Sequence, residues 1–181
     1  NEGISMDDAI EAVKDFQSVP GRFELIDEGQ SFAVVVDYAH TPDGLEKILG
    51  TAREITEGKI IAVFGCGGDR DRMKRPIMGS IAAEHADISI VTSDNPRTED
   101  PEKIIEDVVV GVEKVKKNKP DLYYEVIADR RQAIKRAVSL AKDDDIVIIA
   151  GKGHEDYQIL KDRTIHFDDR EEARNALKEV K

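Results

Sequence analysis

The sequence predicts an α/β protein of Rossmann-like architecture, a largely parallel sheet with helices on both faces and some antiparallel strand pairing. Three observations carry this. Beyond about residue 32, short apolar runs alternate with helix-like stretches, the pattern of a sheet built from strand–helix units. The runs Lys59–Phe64, Ile88–Val91 and Ile146–Ala150 lack strict in-out alternation, as expected of strands buried on both sides. The runs Phe23–Ile26 and Phe32–Val36 flank Gly29 and read as a hairpin, which gives the sheet an antiparallel part.

In chain order, Ser5 to Asp8 has the form of a capping box opening a helix over about 6–17, with Ile10, Val13 and Phe16 in one narrow stripe. Val19-Pro20-Gly21-Arg22 then breaks the chain as a linker. After the hairpin, a helix over about 42–55 places Leu45, Ile48, Leu49, Ala52 and Ile55 on one face. Further strands fall at Lys59–Phe64, Ile88–Val91, Tyr123–Ile127 and Ile146–Ala150, with helices over about 76–85, 101–117 and 130–141 between them. Pro101 follows Asp100 as first helical residue after its cap. Asp129 to Gln132 repeats a capping pattern. A strand or hairpin over 158–167 precedes a last helix capped by Asp168 or Asp169, and Tyr123 and Tyr124 are expected in the core.

The 181 residues suit one domain with a proper core and leave room for a short appendage. A net charge of −11 argues against a nucleic-acid backbone or an anionic membrane as the main partner. It leaves small anions open, because local arginines outweigh a global charge. The single Cys66 excludes an internal disulfide framework and any multi-cysteine metal site. Lying between glycines, it reads as a small packing residue rather than a reactive thiol. No apolar run reaches membrane-spanning length and no signal peptide opens the chain, so a cytoplasmic protein is expected.

In an open α/β sheet, ligands gather beyond the carboxyl ends of the strands. Four strand exits here carry chemistry: "DYAHTPDG", "GCGGDRDRMKRP", "SDNPRTEDP" and "GKGHEDYQ". The exit "ADRRQ" has no glycine and reads as an ordinary helix start. Parallel strands would bring the four to one rim. The glycines at 65, 67 and 68 begin a dinucleotide-like loop, but Arg70 stands where its third glycine belongs, and no Walker A pattern occurs. Arg70, Arg97 and Glu155 form a set: guanidinium groups pair with carboxylates and a carboxylate holds an ammonium. Together they suit a small zwitterion that carries an additional carboxylate. His40 and His154 have no serine or cysteine partner and no zinc-type spacing; His85 and His166 read as structural. Asp37, at a strand end, either holds ribose hydroxyls or caps the next turn.

"DYAHTPDGL", "VFGCGGDRDRMKRPIMG", "TSDNPRTEDP" and "AGKGHEDYQ", in this order, resemble the C-terminal domain of the Mur ligase family, within it the branch that adds diaminopimelate. The resemblance runs from residue 19 to the last helix. It implies residues 1–18 as the tail helix of a preceding central ATPase domain and 19–181 as the C-terminal amino-acid-binding domain. It implies an ATP-dependent, peptide-bond-forming ligase of peptidoglycan biosynthesis. There, ATP activates a carboxyl group of UDP-MurNAc-L-Ala-D-Glu as an acyl phosphate, which the amine of meso-diaminopimelate attacks. Carried over by position, the diaminopimelate contacts are Arg70, Asp94, Asn95, Arg97, Gly151 and Glu155, with Arg97 on the distal carboxylate that L-lysine lacks. Asp37 and His40 become nucleotide contacts. The implied partners are meso-diaminopimelate, UDP-MurNAc-L-Ala-D-Glu and ATP with Mg2+, these last two held mainly by the central domain. No catalytic group is expected within these 181 residues, which alone would be inactive. The alternatives are a freestanding nucleotide- or amino-acid-binding module, or a ligase of the same superfamily adding L-lysine.

Overall fold

The computed structural model describes residues 19–180; the helix expected over 6–17, and the assignment of 1–18 to a preceding domain, lie outside them. The elements run β1 (Glu24–Leu25), β2 (Ala33–Asp37), α1 (Pro42–Ile55), β3 (Ile60–Phe64), α2 (Lys74–His85), β4 (Ile88–Val91) and α3 (Pro101–Lys116). They continue as β5 (Tyr123–Val126), α4 (Arg130–Leu140), β6 (Ile146–Ala150), β7 (Tyr157–Ile159), β8 (Thr164–His166) and α5 (Asp169–Glu179). Six strands form one sheet in the order β1-β2-β6-β3-β4-β5, and β7 and β8 pair separately. Only β1 runs antiparallel to its neighbour in the large sheet. The expected mix of parallel and antiparallel pairing is therefore present.

Alternate residues of each central strand point to opposite layers. Val35, Ile60, Ala62, Phe64, Ile146 and Ile148 pack with α1, α2 and α3 through Leu45, Leu49, Met78, Ile104 and Val108. Val34, Val36, Ile61, Val63, Val147 and Ile149 pack with α4 and α5 through Ile134, Val138, Ala173 and Leu177. Both faces are dry, which explains why β3 and β6 are uninterrupted apolar runs.

The caps follow the sequence. Thr41, Asp100, Asp129 and Asp168 each accept a backbone N–H in the first turn of α1, α3, α4 and α5. The helix expected from residue 76 begins at Lys74 instead, with no side-chain cap. Arg75, fully buried, fixes that first turn: its guanidinium meets Glu99 at 2.7 Å and Asp107 at 2.9 Å. Tyr123 and Tyr124 are not in the core. Their strand β5 is the sheet edge, Tyr123 is 45% exposed, and Tyr124 only packs against the core's margin.

Candidate acceptor-binding site

Beyond the carboxyl ends of β2, β3, β4 and β6, the four loops enclose a cleft of about 410 Å3. It is lined by Tyr38, His40 and Thr41 from the first loop, and by Gly65, Gly67, Arg70, Asp71 and Lys74 from the second. Asp94, Asn95 and Arg97 from the third and Gly151, Glu155 and Tyr157 from the fourth complete the wall. All six residues expected to contact diaminopimelate lie on this one cleft, as does His40. Larger clefts exist, of about 820 Å3 at the opposite end of the sheet near Asp27 and Asp143, about 890 Å3 beside Ile77 and Val110 on α2 and α3, and about 500 Å3 between Arg131 and Glu179 on α4 and α5. None of these gathers the strand-exit loops, so the smaller cleft is the candidate site.

The second and third loops are locked together. The Gly68 amide donates to Asn95 O at 2.9 Å. A Cβ at Gly68 would come 1.9 Å from Pro96 O, so only glycine permits this approach. Across the same seam Thr98 Oγ1 donates to Asp69 Oδ1 at 2.7 Å, and the Asp69 amide to Glu99 Oε1 at 2.6 Å. Hydrogen bonds from Thr98 hold the Asp69 carboxyl below its usual range. Those from Arg75 and the Asp69 amide draw Glu99 down to about 2.

Arg97 adopts a left-handed backbone, φ 54°. Its amide donates to Ile159 O at 3.0 Å, and its Nη1 donates to Gly68 O at 2.9 Å and Asn95 O at 3.3 Å. Its Nη2 and Nε have no partner among the described residues. Asn95, 2% exposed, donates through Nδ2 to Glu155 Oε2 at 2.9 Å and accepts at Oδ1 from the Ile159 amide at 2.9 Å. Asp94 accepts its neighbour's amide at Oδ1, 2.7 Å, and its carbonyl accepts from Gln158 Nε2 at 2.7 Å. The β7–β8 hairpin thus clasps the Asp94–Arg97 turn through Gln158 and Ile159. Asp94 Oδ2 and Glu155 Oε1 are left without protein donors among the described residues. The cleft therefore contains a free guanidinium edge and two free carboxylate oxygens, a complement to a group bearing both signs of charge.

Asp37 does not line the cleft. Its Oδ1 accepts the Ala39 amide and its Oδ2 the Phe23 amide, each at 2.8 Å, the geometry of the turn-capping alternative with a second tie to residues 19–23. His40 is exposed, its Nδ1 2.9 Å from Tyr38 O, while Lys74 Nζ donates to its carbonyl at 2.8 Å. The Tyr38 ring lies among His40, His154 and the Arg22 guanidinium. Gly21, at φ 69°, packs against the Gly153–His154 backbone so closely that a Cβ would meet His154 N at 2.1 Å. Burial pushes the Cys66 thiol up to about 12, in keeping with a packing residue.

Sequence reasoning missed four participants. Lys152, with no exposed surface, lies under the cleft, its Nζ 3.3 Å from Glu155 Oε2 and 3.4 Å from Asn95 Oδ1. Gln158 and Ile159 belong to a hairpin that reaches the Asp94–Arg97 turn only through tertiary contacts. Arg130, in the exit read as an ordinary helix start, is buried and paired with Asp169 at 2.7 Å while donating to Ala150 O at 3.0 Å. Lys152 alone carried a signal, its place between two glycines.

The chain is 55% identical over 181 residues to the UDP-N-acetylmuramoyl-L-alanyl-D-glutamate--2,6-diaminopimelate ligase of Clostridium botulinum, covering 99% of this chain and 36% of that protein. It is 56% identical over 179 residues to the ligase of the same name from Thermosynechococcus vestitus, covering 98% and 35%. A solved structure of such a ligase superposes with a TM-score of 0.82 at 43% identity, over 98% of this chain and 35% of that one. The chain thus spans little more than a third of the length of these relatives. The family model described as "Mur ligase, glutamate ligase domain" matches residues 21–153, from the tie at Gly21 to the loop that carries Lys152. The chain belongs to the Mur ligase family, as its glutamate ligase domain.

Proposed function

We propose that this chain is the acceptor-binding domain of an ATP-dependent ligase that joins meso-diaminopimelate to UDP-MurNAc-L-Ala-D-Glu in cytoplasmic peptidoglycan synthesis. The observation that carries the reading is the set of unpaired polar atoms in the cleft: Arg97 Nη2 and Nε, Asp94 Oδ2 and Glu155 Oε1. The names of the relatives support it. Meso-diaminopimelate ends in a carboxylate and an ammonium on one carbon. In this reading Arg97, with Arg70 beside it at Gly67, receives the carboxylate, and Asp94 and Glu155 receive the ammonium. Asn95 and Gly151 shape the wall between them.

These residues orient rather than react. Holding the distal end fixed points the other amine away from the floor, toward the acyl phosphate that ATP supplies, which lowers the barrier by positioning. His40, exposed on the rim, is assigned to the nucleotide side; Asp37 supports it by shaping the turn between them. Among the described residues no three His, Cys, Asp or Glu side chains converge, and both oxygens of Asp37 already accept backbone amides. They do not fit a resident magnesium ion.

The test is amino-acid-dependent phosphate release by the full-length protein carrying this chain, given UDP-MurNAc-L-Ala-D-Glu, ATP and magnesium. Turnover with meso-diaminopimelate and little with L-lysine is expected. Equal turnover would overturn the carboxylate-reading role of Arg97, and none with either acceptor would leave a binding module without ligase chemistry.

A further inference from the structure

Lys152 takes no part in the proposed contacts, yet it is a buried cation that reaches two of the residues making them, Asn95 and Glu155. Its whole side chain is inaccessible to solvent. Its Nζ lies 5.5 Å from the Tyr157 ring centroid and within reach of both Glu155 Oε2 and Asn95 Oδ1. A buried cation that served only the fold would be expected to sit beside a dedicated carboxylate, as Arg130 does with Asp169. Lys152 instead shares Glu155 with the cleft.

The charge balance of the cleft gives this a consequence. Three cations line it, Arg70, Lys74 and Arg97, and three anions, Asp71, Asp94 and Glu155. The wall is therefore neutral, and Lys152 beneath it leaves one net positive charge. A zwitterionic end brings no net charge and loses little. A bare ammonium adds a like charge next to a cation that water cannot screen. Glu155, the carboxylate best placed to receive that ammonium, is already partly engaged by Lys152.

We propose that Lys152 is a specificity-determining residue that acts through Glu155, turning away acceptors whose side chain ends in an ammonium alone. Specificity of this kind is a difference of affinities, set here by a repulsive element as well as by the attractive Arg97. The inference rests on the reading of the cleft as the diaminopimelate site.

The experiment compares kcat and KM for meso-diaminopimelate and L-lysine in the full-length protein and in Lys152→Met, Lys152→Gln and Lys152→Arg. Glutamine can still donate to Asn95 Oδ1 and Glu155 but carries no charge, so it separates charge from scaffold. The expected result is a drop in KM for L-lysine of about tenfold in the two neutral variants. KM for meso-diaminopimelate should move less than about threefold, kcat should hold, and Lys152→Arg should keep the parent's discrimination. A ratio of the two specificity constants within about twofold of the parent in folded neutral variants overturns the proposal. So does failure of both neutral variants to fold while the arginine variant folds, since Lys152 would then serve the scaffold alone. If the parent itself used neither acceptor, the reading of the cleft would fall first, and that outcome is visible before any variant is made.

Discussion

Arg97 combines a left-handed backbone with a side chain whose hydrogen bonds are unfinished. For a residue with a Cβ that backbone costs about 1 kcal/mol or more, and the turn imposes it through the Arg97 amide to Ile159 O. Two substitutions separate strain from recognition. Arg97→Ala should raise KM for meso-diaminopimelate by roughly 10- to 100-fold, the range of a lost charged hydrogen bond, with KM for ATP little changed. Arg97→Gly should lose acceptor affinity to the same degree, yet unfold about 1 kcal/mol later than Arg97→Ala, because glycine accepts φ near 54°. Steady-state kinetics paired with urea unfolding of both variants checks this; equal stabilities would mean the turn is not strained. Arg97 was legible in the sequence because an arginine just after a proline has no purpose in a plain turn. Lys152 was legible only as an oddity, since nothing in "GKGHE" says that its side chain turns inward.

Among the elements, α2 and α3 pack closest, and the reason is a pair of glycines. A Cβ at Gly111 would lie 1.8 Å from Pro76 O, and one at Gly79 2.1 Å from Val108 O. Gly111→Ala should destabilise by about 1–3 kcal/mol through overpacking. Gly50→Ala, in α1 with nothing within 4 Å of its added Cβ, should stabilise by about 0.5–1 kcal/mol through helix propensity. Thermal unfolding of the two variants reads both signs, and equal shifts would show that helix contact is not what sets them. The elements most readable from sequence are those fixed by local chemistry: Pro101 after Asp100, the Asp129 cap, the uninterrupted β3 and β6. Three features were not readable because long-range contacts set them. The early start of α2 depends on Arg75 reaching Glu99 and Asp107. The exposure of Tyr123 depends on β5 having no neighbour on one side. The clasp by β7 and β8 joins Gln158 and Ile159 to residues more than sixty positions earlier.

At the scale of the whole molecule, the carboxylates decide how stability responds to pH. Glu99 is drawn down to about 2 by Arg75, Glu125 is lowered by Arg136, and Asp107 is held low by Arg75 and Arg72 against the opposing effect of burial. A depressed folded-state pKa stabilises above the unfolded value, about 4.3 for glutamate, and that stabilisation is lost as pH falls through the folded value. The urea midpoint should therefore decline from pH 5 toward pH 2, and Glu99→Gln should flatten that decline; an unchanged slope would remove Glu99 from the account. His166, raised by Glu171, has the opposite sign, stabilising below its unfolded pKa and losing that contribution as pH rises through the folded one. Gly21 rests on the Gly153–His154 backbone, and Phe23 is tied to Asp37. The backbone that meets Gly21 is flanked directly by Lys152 on one side and Glu155 on the other. The segment around Gly21 and the floor of the cleft are therefore a single mechanical part, so strain applied at residues 19–23 reaches Lys152 and Glu155 directly.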